Sequence, residues 1–270
     1  MLRKVSRDPI AWPDASIKHS CPQWIIDRWT TQFGAAVALS IADASLEQPE
    51  TYVRSPKPAP NLEPSDIPGA YRLASGAAPV FARIQDIGSQ AVVPLLQLAP
   101  SQTFLDLCAA PGNKTAQALE TPLHAIACDL HLQRLKPIGN RCPRVVLDAS
   151  QPLPFNRKFD RILVDAPCSG TGTLARNPEI KWRLEPNNIA GLHRLQVNIL
   201  TNALDNLAGE GRLVYATCSL EKEENQDVVL EAFSKRPGFR IAQEMQRLPG
   251  REPGDGFYAA VLTSEYPRNG

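Results

Sequence analysis

Two cysteines stand directly after short apolar runs that are typical of buried strands. Cys168 follows Phe159–Asp165 through an Ala-Pro pair, and Cys218 follows Gly211–Thr217. A cysteine thiolate is a strong nucleophile, and a covalent intermediate divides one difficult step into two easier ones. Ligands of parallel α/β sheets bind at the carboxyl ends of strands, so both thiols are predicted to open into one cleft. Core filling explains such a pair poorly, and the pattern favours catalysis.

The other cysteines carry no comparable signal. The chain has six cysteines and no Cys-x-x-Cys pair. That spacing argues against a zinc cluster, so no metal is predicted, and a reducing compartment argues against disulfides. Free cysteines are usually buried and inert, so only local context singles out Cys168 and Cys218. The remaining four are Cys21, Cys108, Cys128 and Cys142.

Three further strand ends suit an adenosine with a carboxylate-bearing tail. The first ends in a turn of small residues, which lets the backbone approach a ligand closely and precedes a predicted helix whose N-terminal amides would face a carboxylate. Asp129 ends the second and can accept hydrogen bonds from ribose hydroxyls or cap a helix starting at His131. Asp148 ends the third and suits an adenine amino group, whereas a dinucleotide would require G-x-G-x-x-G in the turn. The turn consists of Cys108, Ala109, Ala110, Pro111, Gly112, Asn113 and Lys114.

The elements that must position these groups alternate between strands and helices. This alternation predicts an α/β fold with a doubly wound, Rossmann-like sheet, mostly parallel with an antiparallel C-terminal strand. The apolar positions of 188–207 predict an amphipathic helix, and 221–235 predicts another, whose acidic first turn suits the helix dipole. Strand-like runs occupy 103–108, 124–129, 144–148, 159–165, 211–217, 239–242 and 257–262.

The residues before this sheet are predicted to form two separate regions. An apolar rhythm near 3.6 predicts an N-terminal helical segment over 1–50, with one helix ending at Gly34 and another over 35–47. Six prolines from Pro49 to Pro68 predict an extended linker over 51–69. The α/β domain then occupies 70–270.

Composition and charge place the chain among ordinary globular proteins. Hydrophobic residues make up 43%, charged residues 21%, and the net charge is only +1, so the overall charge does not indicate nucleic-acid binding. Neither a membrane span nor a secretory signal is apparent, and a cytoplasmic protein is expected. Seven basic residues against two acidic ones lie between His131 and Arg161, which predicts either a solvated surface or a phosphate-binding strip.

In its motifs the chain resembles the RsmB/Sun family of RNA 5-methylcytosine methyltransferases. The resemblance covers Tyr71 to Leu262, and the Pro-Cys and Thr-Cys motifs in this order are highly specific to that family. The family usually has a second glycine where this chain has Asn113, a residue that tolerates left-handed backbone. Residues 52–69 are also much shorter than the family's RNA-binding, ferredoxin-like module. The matching segments are Gln85–Asp86, Asp106–Thr115, Asp129, Asp148, Asp165–Gly170, Arg176–Trp182, Tyr215–Ser219 and Gly254–Phe257.

The resemblance implies methyl transfer from S-adenosylmethionine to carbon 5 of a cytosine in RNA, with ribosomal RNA expected. Cys218 would attack carbon 6 of the ring, and Cys168 would assist the later elimination. Asp165 would hydrogen-bond the cytosine and contact the cofactor. Arg176 and Lys181 are candidates for contacts to RNA phosphates or bases, with surface solubility as the alternative. The target base must be exposed, in a loop or unpaired segment.

Other interpretations of the same motifs remain open. A transfer RNA cytosine-5 methyltransferase would carry the same residues, and a cofactor-binding module with impaired RNA recognition would retain the same turn. An amine methyltransferase needs no cysteine nucleophile, and DNA cytosine enzymes typically lack the Thr-Cys partner. We expect a monomer without membrane contact, and an additional RNA-binding partner could supply the missing RNA contacts.

Overall fold

Three helices open the described part of the chain, which comprises residues 12–265 of the computed structural model. They are α1 (Ala15–Lys18), α2 (Gln23–Phe33) and α3 (Ala35–Ala44). Gly34 ends α2 at a φ of +85°, a backbone conformation that favours glycine, as the sequence predicted. Trp29 and Ile41 pack against Leu174 and Leu220 of the following domain. Residues 1–8, which the sequence predicts not to form a secretory signal, lie outside the described residues.

A small antiparallel sheet follows the helices, in the order β2-β3-β1-β4. The interpretation of 51–69 as an extended linker is therefore wrong, because this segment supplies two of the four strands. Pro64 is compatible with strand formation because β2 is an edge strand. An N–H group on the outer side of an edge strand has no neighbouring strand to bond, so the missing N–H of proline is tolerated there. The strands are β1 (Tyr52–Arg54), β2 (Leu62–Pro64), β3 (Ala70–Leu73) and β4 (Arg83–Ile84).

The main sheet has seven strands in the order β10-β11-β9-β8-β5-β6-β7. Neighbours from β9 to β7 are parallel, whereas β11 is antiparallel to both β9 and β10. The predicted doubly wound, mostly parallel sheet with an antiparallel C-terminal strand is thus confirmed. The strands are β5 (Thr103–Asp106), β6 (His124–Asp129), β7 (Arg144–Val146), β8 (Phe159–Asp165), β9 (Leu207–Thr217), β10 (Phe239–Arg247) and β11 (Phe257–Ser264).

Helices cover both faces of this sheet. On one face Val197 and Leu200 of α8 and Val228 of α9 pack against buried strand residues such as Ile162 and Tyr215. On the other face the segment from α4 onward packs through Val92, Leu96 and Ala118. None of the helices within residues 12–265 could cross a membrane. The helices are α4 (Ile87–Val92), α5 (Asn113–Ala118), α6 (Leu132–Leu135), α7 (Ile180–Arg183), α8 (Pro186–Asp205) and α9 (Gln226–Lys235).

Two predicted helix starts differ from the structure for identifiable reasons. Helix α8 begins two residues early because Pro186 is compatible with the first helical position, and Glu185 and Asn188 form a capping box. The helix predicted over 221–235 is broken at Asn225, and its first part, Lys222–Glu224, is a 3₁₀ turn. The predicted acidic first turn is therefore wrong, and these carboxylates have other partners.

Candidate active site

The two cysteine-bearing turns meet because their strands are parallel neighbours. Strand β8 pairs with β9 up to Asp165 opposite Ala216, so the residues that follow leave the sheet side by side. The Sγ atoms of Cys168 and Cys218 lie 3.3 Å apart, and both side chains are half-buried. The structure thus brings together the two thiols that the sequence placed at one cleft.

The surroundings of Cys168 favour its protonated form. Its contact with the Cys218 thiol, followed by burial and the charge of Glu224, raises the pKa of Cys168 well above its ordinary value. Either sulfur can donate in the contact between the two thiols. The buried setting beside Glu224, which the sequence context of Cys168 does not reveal, adds to the effect of that contact.

Lys114 connects the small-residue turn to the thiol pair. Its Nζ atom lies 2.8 Å from Oδ2 of Asp165 and 4.9 Å from the centroid of the Phe257 ring. The ammonium is therefore held by an ion pair and a cation–π contact. The sequence placed Lys114 in the predicted cofactor-binding turn, and the structure also pairs it with Asp165 at the end of β8.

The small-residue turn packs against the sheet too tightly for larger residues. Gly112 has a φ of +106°, and a Cβ atom there would lie 2.4 Å from Cγ1 of Ile138. The backbone N–H of Ala109 donates to the carbonyl of Cys128 at 2.8 Å, which holds the turn on β6. Asn113 is already the first residue of α5, and the residue with left-handed backbone before it is Gly112. The replacement of a glycine by Asn113 therefore requires no unusual backbone.

Both carboxylates on the far side of the turn keep an oxygen available. Oδ1 of Asp129 accepts from the N–H of His131 at 3.0 Å, and Arg134 lies 3.8 Å away. His131 itself is the residue before α6, so Asp129 forms a local turn rather than the predicted helix cap. Oδ1 of Asp148 accepts from the side chain and the N–H of Ser150, and these bonds lower the pKa of Asp148.

These groups line one continuous cleft with a volume of about 450 Å³, a size common among small-molecule sites. Its floor includes Cys108, whose pKa is raised by burial. A cradle of small residues, two carboxylates with free oxygens and apolar walls fit an adenosine with a charged tail. The lining residues at the two ends are Asp129, Asp148, Asp165, Cys168 and Cys218.

The two predicted RNA contacts lie elsewhere. Arg176 donates to Asp255 at 3.1 Å and pairs with Asp86, so it joins three loops. Burial and the charge of Asp86 raise the pKa of Asp255 to about 7. Lys181 is buried at 3% exposure, and its Nζ atom lies 3.4 Å from Oγ of Ser45. Neither Arg176 nor Lys181 lines the cleft. The alternative of an exposed residue that aids solubility is wrong for Lys181, because its side chain is buried.

The basic stretch from 131 to 161 does not form one strip. Arg134 stands beside Asp129 at the cleft, whereas Arg141 lines a separate groove with Arg54 and Arg83. Arg161 donates to the carbonyl of Gln97 on another surface. Proximity in the sequence did not translate into a common surface, because these side chains have partners in different parts of the fold.

Sequence reasoning missed several residues of the site. Leu195 and Ile199 form an apolar wall of the cleft, and their spacing of four on α8 was assigned only to the core. Glu224 is fully buried beside the thiol pair. The sequence could not place Glu224 beside the thiols, because it stands in a segment predicted to be helical and Ser169 and Gln196, two of its partners, are distant in the chain.

Comparison with known proteins identifies the family. A model described as 16S rRNA methyltransferase RsmB/F matches residues 93–263. The chain is also 38% identical over 223 residues to ribosomal RNA small subunit methyltransferase B of Klebsiella pneumoniae, covering 73% of this chain and 52% of that protein. The chain belongs to the RsmB/F methyltransferase family. The family resemblance that the sequence motifs indicated is thus confirmed.

Further relatives agree with this family. The protein of the same description from Citrobacter koseri is 39% identical over 225 residues, again covering 73% of this chain and 52% of that protein. The chain thus spans about half the length of the curated relatives it matches. Among solved structures, a methyltransferase homologue from Pyrococcus horikoshii is 21% identical with a TM-score of 0.78, covering 94% of this chain and 100% of that one.

A second solved structure shares the α/β fold of this chain. NSun6 from Pyrococcus horikoshii, solved with SFG, an analogue of S-adenosylmethionine, is 18% identical with a TM-score of 0.74. The alignment covers 90% of this chain and 98% of that chain. At this level of identity, the similarity establishes the α/β architecture of the chain.

Proposed function

We propose that this chain transfers a methyl group from S-adenosylmethionine to carbon 5 of a cytosine in RNA, through a covalent adduct with Cys218. The observation that carries the proposal is the 3.3 Å separation of the two sulfurs at one end of the adenosine-sized cleft. Membership of the RsmB/F family and the similarity to ribosomal RNA small subunit methyltransferase B support RNA, and ribosomal RNA in particular, as substrate.

A cysteine is needed because carbon 5 of neutral cytosine is a weak nucleophile. When bound, S-adenosylmethionine supplies an electrophilic methyl group on its sulfonium. The thiolate of Cys218 adds to carbon 6, forming a C–S bond and making carbon 5 an enamine carbon. Carbon 5 would then bond to the methyl carbon as the methyl–sulfonium bond breaks, with S-adenosylhomocysteine as the leaving group. Loss of the carbon 5 proton and cleavage of the C–S bond then return Cys218 and release 5-methylcytosine.

The electrostatics of the pair support Cys168 as the residue that assists the elimination. In the free protein, the largest cause of its raised pKa is the contact with Cys218. Once Cys218 is bonded to the ring, it is a neutral thioether and this cause disappears. Burial and the charge of Glu224 continue to raise the pKa of Cys168. We propose that Cys168 gives up its own proton, which the loss of the Cys218 contribution eases, and then takes the proton of carbon 5.

Asp165 and Lys114 are proposed to orient the ring beside the thiols. Oδ2 of Asp165 accepts from Lys114, which leaves Oδ1 to accept from the exocyclic amine of cytosine. Carbonyl oxygens at the corresponding position of uracil would face the carboxylate, so the pair favours cytosine. Asp165 also lines the cleft and is proposed to contact the cofactor.

Trapping of the covalent adduct tests the proposal. Cys168→Ala, Cys218→Ala and the control Cys142→Ala are each incubated with S-adenosylmethionine and labelled ribosomal or transfer RNA, followed by a denaturing gel. We expect a slowly migrating protein–RNA adduct with Cys168→Ala, none with Cys218→Ala, and turnover to 5-methylcytosine with Cys142→Ala. Adduct with both active-site variants, or with neither, would contradict the assigned roles. The RNA pool that is labelled decides between ribosomal and transfer RNA.

Recognition of the RNA is proposed to need more than this chain. Since the chain spans about half of its curated relatives, a further RNA-binding segment or partner protein is proposed to supply contacts. Arg176 and Lys181 are not proposed to bind phosphate directly, because their side chains are engaged or buried. We further propose a cytoplasmic monomer, which sedimentation of the purified protein would test.

A further inference from the structure

Each cysteine of the pair is followed by a serine, and both serines bind one buried carboxylate. The hydroxyls of Ser169 and Ser219 donate to the same oxygen, Oε2 of Glu224, with a distance of 2.5 Å for Ser219. Glu224 is 0% exposed. One side chain therefore touches the residue after each thiol, although the two turns lie 50 positions apart in the chain.

The second oxygen of Glu224 fixes the backbone around Cys168. Oε1 accepts from the N–H of Ser169 and from Nε2 of Gln196, both at 2.9 Å. Gln196 also donates to the carbonyl of Pro167 at 2.8 Å. The peptide groups on both sides of Cys168 are thus held by Glu224 and its neighbour on α8.

The turn of Cys218 is held from the same place. Asn225, next to Glu224, donates to the carbonyl of Ser219 at 3.0 Å and accepts from Thr217. The carbonyl of Glu224 accepts from the hydroxyl of Tyr215 at 2.6 Å. The break of the predicted helix at Asn225 is therefore required, because it turns Glu224 inward between the two turns.

Burying the Glu224 carboxylate costs desolvation free energy, so it is a poor way to stabilise a fold. Within residues 12–265 no lysine or arginine forms an ion pair with Glu224, and its charge is balanced by hydrogen-bond donors alone. A buried charge costs several kcal/mol of desolvation, which hydrophobic residues would avoid. Its place between the two cysteine turns indicates a role in the geometry of the thiols.

We infer that Glu224 is the positioning residue of the thiol pair, locking the turns of Cys168 and Cys218 to each other through Ser169 and Ser219. The inference rests on the proposed function and names a group that touches neither substrate nor cofactor. Its charge has a second consequence, since it is among the causes that raise the pKa of Cys168. The ionisable groups facing Cys168 are Cys218, Glu224 and Tyr215, with Asp165 and Lys114 across the cleft.

Two substitutions separate the charge from the geometry. In Glu224→Gln the oxygen can stay at the Oε1 position, and the new NH₂ can donate to the serine hydroxyls, which rotate to accept. This variant removes the charge and retains the hydrogen bonds to Ser169 and Ser219. Glu224→Ala removes both. Glu231→Gln is the matched control, because Glu231 lies nearby on α9 but pairs only with His193 and Lys235 on the surface.

Peptide-resolved iodoacetamide alkylation of the full chain is the primary measurement, and it needs neither RNA nor cofactor. We expect Glu224→Gln to raise the alkylation rate of Cys168 about fivefold at pH 9, because a like charge near the thiolate is removed. Glu224→Ala should alter the rates of both Cys168 and Cys218. The kcat for methyl transfer to RNA should fall about hundredfold with Glu224→Ala. With Glu224→Gln it should be at least about tenfold higher than with Glu224→Ala.

The inference is overturned if Glu224→Gln gives the alkylation rates of Glu231→Gln, or if Glu224→Ala and Glu224→Gln have the same kcat. Should Glu224→Ala fail to unfold cooperatively, Ser219→Ala replaces it, because that change removes the Ser219 hydroxyl while both oxygens of Glu224 keep their bonds to Ser169. It is expected to change the alkylation rate of Cys218 about fivefold while leaving that of Cys168, and unchanged rates for both would also overturn the lock. Absence of 5-methylcytosine from every variant, with the alkylation effects present, would instead contradict the proposed function alone.

Discussion

The two ends of the cleft are built in opposite ways. On the turn side, comprising Cys108–Lys114, Asp129 and Asp148, the two carboxylates are held by bonds to residues two positions further on, Asp129 to His131 and Asp148 to Ser150. The thiol side, comprising Cys168, Cys218 and Glu224, is held by bonds between turns 50 positions apart. A site for a flexible ligand tolerates local, partly exposed groups, whereas a covalent step needs two sulfurs fixed to within a few tenths of an ångström.

The largest expected effect falls on the turn side and concerns packing. Gly112→Ala places a methyl group 2.4 Å from Ile138 at a φ of +106°. We expect the free energy of unfolding to fall by about 3 kcal/mol, as for strained and overpacked sites. Urea unfolding measures this. The control Gly191→Ala, where no atom lies within 4 Å of the new Cβ, should be neutral or stabilising on α8, and equal losses in both variants would contradict the argument.

The next effect tests the link between the two sides. Lys114→Ala removes the 2.8 Å ion pair with Asp165 and leaves that carboxylate without its cation. We expect kcat/KM for methyl transfer to fall about hundredfold and cofactor affinity to weaken as well. Steady-state kinetics and calorimetric titration with S-adenosylmethionine measure the two parts. Lys222→Ala, which removes only an exposed pair with Asp227, should stay within about twofold. A weaker affinity for S-adenosylmethionine with unchanged kcat would show that Lys114 does not link the turn side to the thiol side.

A smaller effect should be confined to the turn side. Asp129→Ala removes a carboxylate proposed to accept from the ribose hydroxyls, so the Kd for S-adenosylmethionine should rise about tenfold to thirtyfold. Because Asp129 takes no part in the lock at Glu224, the alkylation rates of Cys168 and Cys218 should not change. Isothermal titration and peptide-resolved alkylation provide the two readouts. An unchanged Kd would remove Asp129 from the cofactor site.

The smallest effect is a pH dependence of stability beneath the cleft. Burial raises the pKa of Asp106 to about 7, from 3.8 in an unfolded chain, and Thr115 donates to it at 2.7 Å. As the pH rises between these values, the unfolded chain loses a proton that the folded chain keeps, so folding stability falls. Asp106→Asn should therefore gain about 1 kcal/mol relative to the unchanged protein between pH 5.5 and 6.5. Urea unfolding at both values measures this, with the exposed Asp66→Asn as control. Parallel pH profiles would exclude the effect.

The sequence by itself determined the sheet, the strand ends and the residues that stand there. Strands β6 and β8 begin and end where the apolar runs do, and the Pro-Cys and Thr-Cys motifs identified the family. These features depend on neighbouring residues and on the alternation of strands and helices, which a linear pattern contains. The small sheet of 52–84 was missed, because strands of only two to four residues leave no periodic signal.

Only the tertiary structure decided which partner each charged side chain has. Arg176 and Lys181 looked like surface cations, but Arg176 pairs with Asp86 and Asp255 and Lys181 is buried. Glu224 looked like a helix-dipole residue, but it binds Ser169 and Ser219. Hydrogen bonds and ion pairs act over a few ångströms in space, between residues tens of positions apart. Their partners are therefore fixed by the topology of the sheet and not by the local pattern of residues.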